Sequence, residues 1–210
     1  MQQVFFYATI VGNNQLAQVG EAMRRLELAQ TWDLSTPALQ FLIDLPDLDA
    51  PQEELIRTFC VLAAETQPGA IVGGAIIDGE SATFDRAVFP SLPDSFVSRL
   101  PPSSITPPYV GTCAQAVCEG KPVTCPNLST ETRFDAGWRR VYLDLGIQSV
   151  QSAPVFSFNG KALGTFVVAF NEPKASSSFD VELMAFGAHG MRIILQKSSG
   201  HNPGPRSVPA

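Results

Sequence analysis

Two tight-turn dipeptides, each set between apolar segments, constrain the fold of this chain more than any other feature. They are Asp78-Gly79 and Asn159-Gly160. Both dipeptides tolerate the positive φ angles that a two-residue hairpin turn requires, and their flanking segments are rich in Val, Ile, Ala and Phe. The sequence therefore predicts two β-hairpins. Their strands are Ala70–Ile77 with Ala82–Phe89, and Ser149–Phe156 with Ala162–Phe170.

A long crossover separates the two hairpins, and its pattern predicts mostly short helices. It opens with a proline-rich segment at residues 90–108. A short helix at Thr112–Glu119, a strand at Val123–Pro126 and a helix at Ala136–Leu145 are predicted to follow. Gly146 is placed to end the last of these helices as a C′ glycine.

Longer helices are predicted before and after the hairpins. Asp49 is a suitable N-cap, with Pro51 in the first turn and Gln52 at capping-box spacing, and Pro68-Gly69 ends this helix. The last predicted helix is Phe179–Lys197. Hairpins that do not follow one another directly, with helices at both ends, indicate an antiparallel sheet backed by helices on one face. The predicted fold class is therefore α+β.

Residues 1–45 are interpreted as an N-terminal helical annex to a main domain at residues 46–197. Met1–Val11 predicts either a strand or the start of an apolar helix, and an apolar stripe at 3-4-3 spacing begins at Leu16. The stripe packs either on its own domain or against a second copy of the chain. Residues 198–210 are rich in Gly, Pro and Ser and are predicted to be disordered.

The composition of the chain excludes some classes of binding partner and of cellular location. The net charge is −6 and the charged fraction is 16%, without a Lys/Arg cluster, which argues against a nucleic-acid-binding groove. No run of about 18 apolar residues occurs, so we expect no membrane span. The apolar segment Val4–Val11 has neither a preceding basic residue nor a cleavage pattern, so it does not predict a signal peptide. We expect a cytoplasmic protein whose four cysteines are reduced.

The crossover and the second hairpin also carry a series of short motifs in a characteristic order. They are GTCAQAV at Gly111–Val117, GKPV at Gly120–Val123, LG at Leu145-Gly146 with QSVQSAPV at Gln148–Val155, and LGTF at Leu163–Phe166. Together these motifs resemble the GAF domain, a sensory module of bacterial sensor kinases and cyclic-nucleotide signalling proteins. The resemblance covers about Asp49 to Gln196.

The resemblance implies a fold in which N- and C-terminal helices back a GAF/PAS-like sheet. It also implies a ligand cavity on the other sheet face, under the loops and short helices of the crossover. Such a domain binds a small molecule or an anion, needs no cofactor and is not an enzyme. It passes its signal through its terminal helices to a partner such as a sensor kinase of a two-component system, and the same helices form a homodimer. A ligand-free dimerisation module is an alternative.

Two pairs of residues are the main candidates for ligand contact. Thr112 and Cys113 begin a predicted helix, where free N–H groups and the helix dipole favour an anion or a carboxylate. The alternative is that Thr112 only caps the helix. Among resembling proteins, a nitrate-binding GAF sensor is the precedent for a small anion.

Trp138 and Tyr142 are four residues apart on a predicted helix and therefore share a face. They are placed either in the cavity or in the core. Tyr109 and Phe156 are predicted to stand behind these residues as further cavity-lining side chains. Arg139 and Arg140 are expected to be solvated, unless one of them reaches a carboxylate.

Three interpretations compete for Cys113, Cys118 and Cys125. Their spacing matches no strong metal or iron–sulfur pattern. A redox switch would use Cys113, whose position at a helix N-terminus favours a lowered pKa. Inert buried thiols are the third interpretation.

The runner-up function is thiol chemistry, in which Cys113 acts with Cys118 or Cys125. Free methionine sulfoxide reductases are GAF enzymes that use cysteine pairs. The resemblance places their cysteine-bearing loop at Thr132–Arg139, which contains no cysteine in this chain. Neither His189 nor His201 is near a cysteine, which argues against bilin attachment, and neither makes a convincing haem ligand.

Overall fold

The computed structural model describes residues 37–197. The predictions for Met1–Val11, for the helix from Leu16 and for the tail at residues 198–210 lie outside the described residues. The chain divides into two compact units between Asp44 and Leu45. The described part of the first unit is helix α1, Pro37–Asp44. The domain boundaries proposed from the sequence stay a prediction.

The described part of the second unit contains five strands and the remaining described helices. Its helices are α2 (Gln52–Glu65), α3 (Asp94–Val97), α4 (Thr112–Glu119), α5 (Ala136–Asp144) and α6 (Val181–Lys197). Its strands are β1 (Ile71–Asp78), β2 (Thr83–Val88), β3 (Val123–Cys125), β4 (Ser149–Phe156) and β5 (Ala162–Phe170). Short 3-10 turns lie at Leu45–Asp47, Leu128–Thr130 and Ser176–Ser178.

The five strands form one antiparallel sheet in the order β2-β1-β5-β4-β3. Both predicted hairpins are confirmed, and they meet at the centre of the sheet, where β1 pairs with β5. Strand β3 adds to the outer edge of the second hairpin. The two hairpins therefore join into one sheet although the whole crossover separates them in the chain, and the predicted α+β class is confirmed.

Helices α2 and α6 pack on one face of this sheet through aromatic rings and glycines. A Cβ atom on Gly187 of α6 would stand 2.1 Å from the ring of Phe166, and one on Gly190 would stand 2.3 Å from the ring of Phe59. The Phe59 and Phe166 rings have centroids 6.2 Å apart. Because residues alternate in direction along a strand, the neighbours Val167 and Thr165 point to the opposite face. That second face lies under α4 and the crossover.

The start of α2 differs from the sequence-based expectation. Pro51 is the N-cap and no side chain caps the helix, so the predicted capping box of Asp49 and Gln52 is wrong. The Gln52 amide instead donates to the carbonyl of Leu195 at 3.3 Å and accepts from Arg86 at 3.0 Å. The tertiary contact with the end of α6 thus replaces the local capping interaction.

The other helix ends follow local rules. Gly146 has φ +79° directly after the C-cap of α5, as predicted. The last helix begins at Val181 and not at Phe179, because the Asp180 carboxylate accepts from the N–H groups of Glu182 and Leu183 at 2.9 and 3.0 Å. In residues 37–197, no helix combines the length and the hydropathy needed to cross a bilayer.

Candidate functional site

A cavity lies between the second face of the sheet and the crossover. Strands contribute four lining residues: Ile71, Val150, Val167 and Ala169. The crossover and the turns at its ends contribute the others: Phe89, Leu92, Phe96, Leu100, Gly111, Thr112, Cys113, Leu128, Phe134, Tyr142 and Ile147. The volume open to the centres of water molecules is about 40 Å³. A cavity of this size has room for about three waters.

The N-terminus of α4 forms the polar end of the cavity. Gly111 is the N-cap and no side chain caps this end of the helix. The alternative role of Thr112 as a cap is therefore wrong. The Thr112 hydroxyl is buried and shares a 2.7 Å hydrogen bond with the hydroxyl of Ser152 on β4. This bond ties α4 to the sheet and leaves the first-turn N–H groups without a side-chain acceptor.

Tyr142 of α5 reaches across the cavity to the same point. A Cβ atom on Gly111 would stand 3.0 Å from the Tyr142 hydroxyl oxygen, so glycine leaves room for this oxygen beside the helix end. The hydroxyl makes no hydrogen bond with any residue in the described range 37–197. Burial raises the pKa of Tyr142 well above its usual range, and the nearby Cys113 adds to this shift. The group is therefore a neutral hydroxyl with an unused hydrogen-bonding capacity.

A row of aromatic rings leads from the cavity to the outside. Phe89 and Phe96 have ring centroids 6.3 Å apart, Phe96 and Tyr142 5.8 Å, and Tyr142 and Trp138 6.0 Å. The shared face predicted for Trp138 and Tyr142 is thus observed. Trp138 packs on the outer side of Tyr142 and is not among the lining residues.

Ionic side chains are absent from the described lining of the cavity. Among the described residues, none that lines it is Asp, Glu, Lys, Arg or His. Desolvating an ion without a counter-charge costs several kcal/mol, whereas a helix N-terminus returns only about 0.3–2 kcal/mol. The predicted preference for an anion at Thr112 and Cys113 therefore has little electrostatic support.

The burial and the pKa values of the cysteines do not support the redox interpretation. All four are free, and three of them, Cys60, Cys113 and Cys125, are buried. Burial raises the pKa of Cys113 to about 11, which overcomes the lowering effect of the nearby backbone N–H groups, so the lowered pKa expected at this helix end is wrong. Burial also raises the pKa of Cys125 to about 12, with a further contribution from Glu131. In the described part of the chain, no cluster of His, Cys, Asp or Glu is arranged to hold a metal ion.

The six predicted site residues separate into two groups. Thr112, Cys113 and Tyr142 line the cavity, whereas Tyr109, Trp138 and Phe156 do not. Tyr109 forms an isolated β-bridge with Phe134 within the crossover. Phe156 stands at the far end of β4, beside a shallow groove that His189 and Arg192 also line. Whether any of the six contacts a ligand stays a prediction.

Sequence reasoning missed the apolar lining of the crossover. Phe89, Phe96 and Leu100 are apolar residues within or beside the proline-rich segment, and each is buried in the structure. The sequence indicates their burial in one way. They are large apolar residues in a segment whose proline content predicts a surface loop, and such loops rarely carry several of them.

A charged cluster holds the roof loop, which we define as residues 126–135, against the sheet. The Arg133 guanidinium contacts the Glu131 carboxylate at 2.6 Å, the Thr124 carbonyl at 2.9 Å and the Gln115 side chain at 3.3 Å. Arg139, which was expected to be solvated, donates to the Glu131 carbonyl. Hydrogen bonds from Arg133 lower the pKa of Glu131 to about 2, against the opposing effect of burial. The roof loop carries Leu128 and Phe134, so this cluster fixes part of the cavity lining.

Glu131→Gln is expected to lower the free energy of unfolding by about 2 kcal/mol at neutral pH, because Arg133 loses its charged acceptor. The pKa of Glu131 is lower in the folded state, so its contribution is complete above the unfolded value of about 4.3 and is lost as the pH falls toward about 2. Urea denaturation of both proteins from pH 7 to pH 2 measures this difference.

Asp144→Asn is the matched control, because it breaks the exposed Arg140–Asp144 pair of 2.9 Å, whose side chains are 78% and 63% exposed. Such a pair contributes at most about 1 kcal/mol. A Glu131→Gln effect no larger than the control, or one that does not shrink in acid, contradicts the assignment.

Comparisons with known proteins agree with this architecture. A family model described as GAF domain matches residues 49–196. The GAF domain of an Acinetobacter phosphoenolpyruvate-protein phosphotransferase is similar in structure, with a TM-score of 0.60 at 12% identity over 80% of this chain and 97% of that one. Free methionine-R-sulfoxide reductase from Neisseria meningitidis has a TM-score of 0.53 at 16% identity over 80% and 93% of the two chains.

A third similar structure is a domain of a putative two-component sensor histidine kinase from Sinorhizobium meliloti. Its TM-score is 0.51 at 15% identity, over 70% of this chain and 90% of that one. Among curated proteins, none matches this chain by sequence. At these identities the structural likeness shows the fold.

Proposed function

This chain belongs to the GAF domain family, and on that premise we propose that it senses a small ligand in the cavity and signals through its terminal helices. The family and the fold make it a sensory or regulatory module. The ligand, the helical output and the homodimer are the proposed part.

The observation that carries this proposal is the apolar cavity between the sheet and the crossover. Protein interiors leave few voids larger than a water molecule, so a space of about 40 Å³ lined by large side chains is a departure from ordinary packing. Its lining comes from the sheet, from α4, from α5 and from the loops between them. An occupant would contact all of these segments together and would change how the crossover sits on the sheet.

Contacts at the end of α6 support an output through the terminal helices. The Lys197 ammonium donates to the carbonyls of Leu45, Pro46 and Leu48, at the entry to the domain. Gln52 at the start of α2 donates to the carbonyl of Leu195 and accepts from Arg86 on β2. The entry segment, α2, the end of α6 and the edge of the sheet are therefore tied together. A shift of the sheet would reach both ends of the domain, since packed elements tend to switch between discrete arrangements.

A sensor kinase or another effector is the proposed partner. One of the similar structures is a domain of a putative two-component sensor histidine kinase. We propose a homodimer through the terminal helices, although the helix predicted from Leu16 lies outside the described residues. Light scattering on the purified chain tests this point, and a strict monomer with and without ligand contradicts it.

Native mass spectrometry of the freshly purified full chain tests the sensing function. We expect a bound small molecule on the wild type and none on Ala169→Leu, whose larger side chain fills the cavity. Ala185→Leu on the exposed face of α6 is the control and is expected to keep the ligand. No bound mass, with Ala169→Leu more stable than the wild type, would instead support a ligand-free dimerisation module.

Thiol chemistry is the second candidate, because Cys113 lines the cavity and a similar structure is a sulfoxide reductase. The raised pKa values of Cys113 and Cys125 count against it, since protonated thiols are poor nucleophiles. Cys113→Ser separates the two functions. Sensing predicts that the variant keeps its ligand, whereas thiol chemistry predicts loss of activity on methionine sulfoxide and of any mass change after mild oxidation.

A further inference from the structure

The chemistry of the lining restricts what the cavity can hold, and this inference rests on the ligand cavity of the proposed function. Eleven of the lining residues have purely apolar side chains: Ile71, Phe89, Leu92, Phe96, Leu100, Leu128, Phe134, Ile147, Val150, Val167 and Ala169. In the described part of the chain, no charged side chain reaches the cavity. A carboxylate, a phosphate or an ammonium group would lose its hydration there and gain no counter-ion. An uncharged ligand avoids this penalty.

Polar groups of the cavity are gathered at one end. The Thr112 hydroxyl is already bonded to Ser152, so it offers little to an occupant. The Tyr142 hydroxyl has no partner in residues 37–197 and lies beside Gly111, where the uncapped first turn of α4 begins. The Tyr142 hydroxyl is therefore a hydrogen-bond donor that is available to an acceptor atom of an occupant. The cavity therefore has one place for a ligand oxygen, and apolar walls around the rest of the ligand.

The volume sets the size of the occupant. A cavity of about 150 Å³ lined by Leu, Ile and Phe is large enough to bind benzene. The space here is about 40 Å³, which is well below that value. The space is therefore suited to a ligand of a few heavy atoms and not to a larger one.

We propose that the cavity binds an uncharged organic molecule of a few heavy atoms, such as a short-chain ketone, aldehyde or alcohol. Its oxygen accepts a hydrogen bond from the Tyr142 hydroxyl at the start of α4, and its alkyl groups lie against Val150, Val167 and Ala169. The ligand binds without covalent chemistry. Tyr142 is the residue that distinguishes an oxygen-bearing ligand from a purely apolar one of the same size.

Acetone, acetate and xenon are the probes for this proposal. Acetone and acetate have nearly the same shape and differ in charge, and xenon tests the apolar space without a hydrogen bond. Amide NMR titrations of the full chain at equal probe concentrations show where each probe binds. We expect saturable shifts with acetone and xenon at Gly111, Cys113 and Val167, and none with acetate.

Two matched variants test the hydrogen bond. Tyr142→Phe removes a hydroxyl that has no partner in the described structure, so the variant is expected to fold normally. It should weaken acetone binding about five- to tenfold and leave xenon binding unchanged. Tyr109→Phe is the control, because Tyr109 does not line the cavity, and it should affect neither probe.

The outcomes separate this inference from the proposed function. Binding of acetate as tightly as acetone, or equal acetone binding by Tyr142→Phe and the wild type, overturns the inference and leaves a ligand cavity in place. If none of the three probes binds, the cavity does not accept a small ligand, and this result contradicts both the inference and the proposed sensing function. If acetone and xenon bind to the wild type and Ala169→Leu abolishes this binding, the result supports both the inference and the proposed function.

Discussion

Gly164→Ala is expected to lower the free energy of unfolding by about 3 kcal/mol, at the upper end of the cost of overpacking a well-packed core. Gly164 lies on the central strand β5, and a Cβ atom there would stand 2.3 Å from the carbonyl oxygen of Ala75 on β1. The other close atoms also belong to the backbone of β1, so no side-chain rotation relieves the contact. The two hairpins meet at this pairing, and the added methyl group would push them apart. Thermal and urea denaturation measure the loss.

Gly79→Ala is the matched control for this variant. Its added Cβ would meet the end of the Lys161 side chain at 2.7 Å, and that flexible side chain moves away easily. We expect a change within about 0.5 kcal/mol, typical of surface substitutions. If Gly164→Ala lowers the free energy of unfolding by no more than Gly79→Ala does, the result contradicts the close contact between β1 and β5.

Gly73→Ala is expected to cost about 3 kcal/mol and to abolish ligand binding, because it displaces a wall of the cavity. Gly73 lies on β1, and a Cβ atom there would stand 2.1 Å from the ring of Phe89. Phe89 is buried and lines the cavity, so its ring must leave its present position. Denaturation gives the stability change, and the acetone and xenon titrations give the change in binding.

The neighbouring Gly74→Ala supplies the control, because Gly74 points to the other face of the sheet. Its added Cβ would meet the terminal methyl group of Met191 at 2.6 Å and a backbone oxygen of Thr165 at 3.0 Å. Methionine is flexible, so we expect a loss of about 1 kcal/mol with ligand binding retained. Equal effects of the two variants on binding contradict the role of Phe89 as a cavity wall.

The hairpins were predictable because their information is local. Asn159-Gly160 turns the chain by backbone conformation, since Gly160 has φ +81°. In the first hairpin the turn lies between Asp78 and Thr83, and its positive φ of +53° is at Ala82 and not at the predicted Gly79. The second hairpin has the predicted strand limits, and those of the first differ by one residue at each end. Gly146 ended α5 for the same local reason.

The helix start that was predicted at Asp49, and that lies at Gln52 in the structure, shows where local rules fail. Within its own segment, the spacing of Gln52 from Asp49 predicted a capping box. In the folded chain, Gln52 contacts Leu195 and Arg86, which are distant in sequence. Long-range partners that pattern cannot identify therefore decided its role.

The candidate site was only partly predictable. Helix spacing placed Trp138 and Tyr142 on one face, but only the fold decided that Tyr142 reaches the cavity and Trp138 stands outside it. The same holds for Cys113, where a helix start predicts a lowered pKa and burial raises it to about 11. The position of Cys113 at the helix start sets the effect of the helix dipole on its pKa. The effect of desolvation depends on all the residues that pack around the thiol.

By itself, the amino-acid sequence determined the strands, the limits of α4 and α5 to within one residue, and the membership in the GAF domain family. These properties depend on backbone conformation and on the periodicity of apolar residues, which short segments carry. Tertiary structure alone decided the volume of the cavity and, within residues 37–197, the uncharged lining and the lack of a hydrogen-bond partner for the Tyr142 hydroxyl. Those properties arise from segments that are far apart in the chain and meet only when the crossover closes over the sheet.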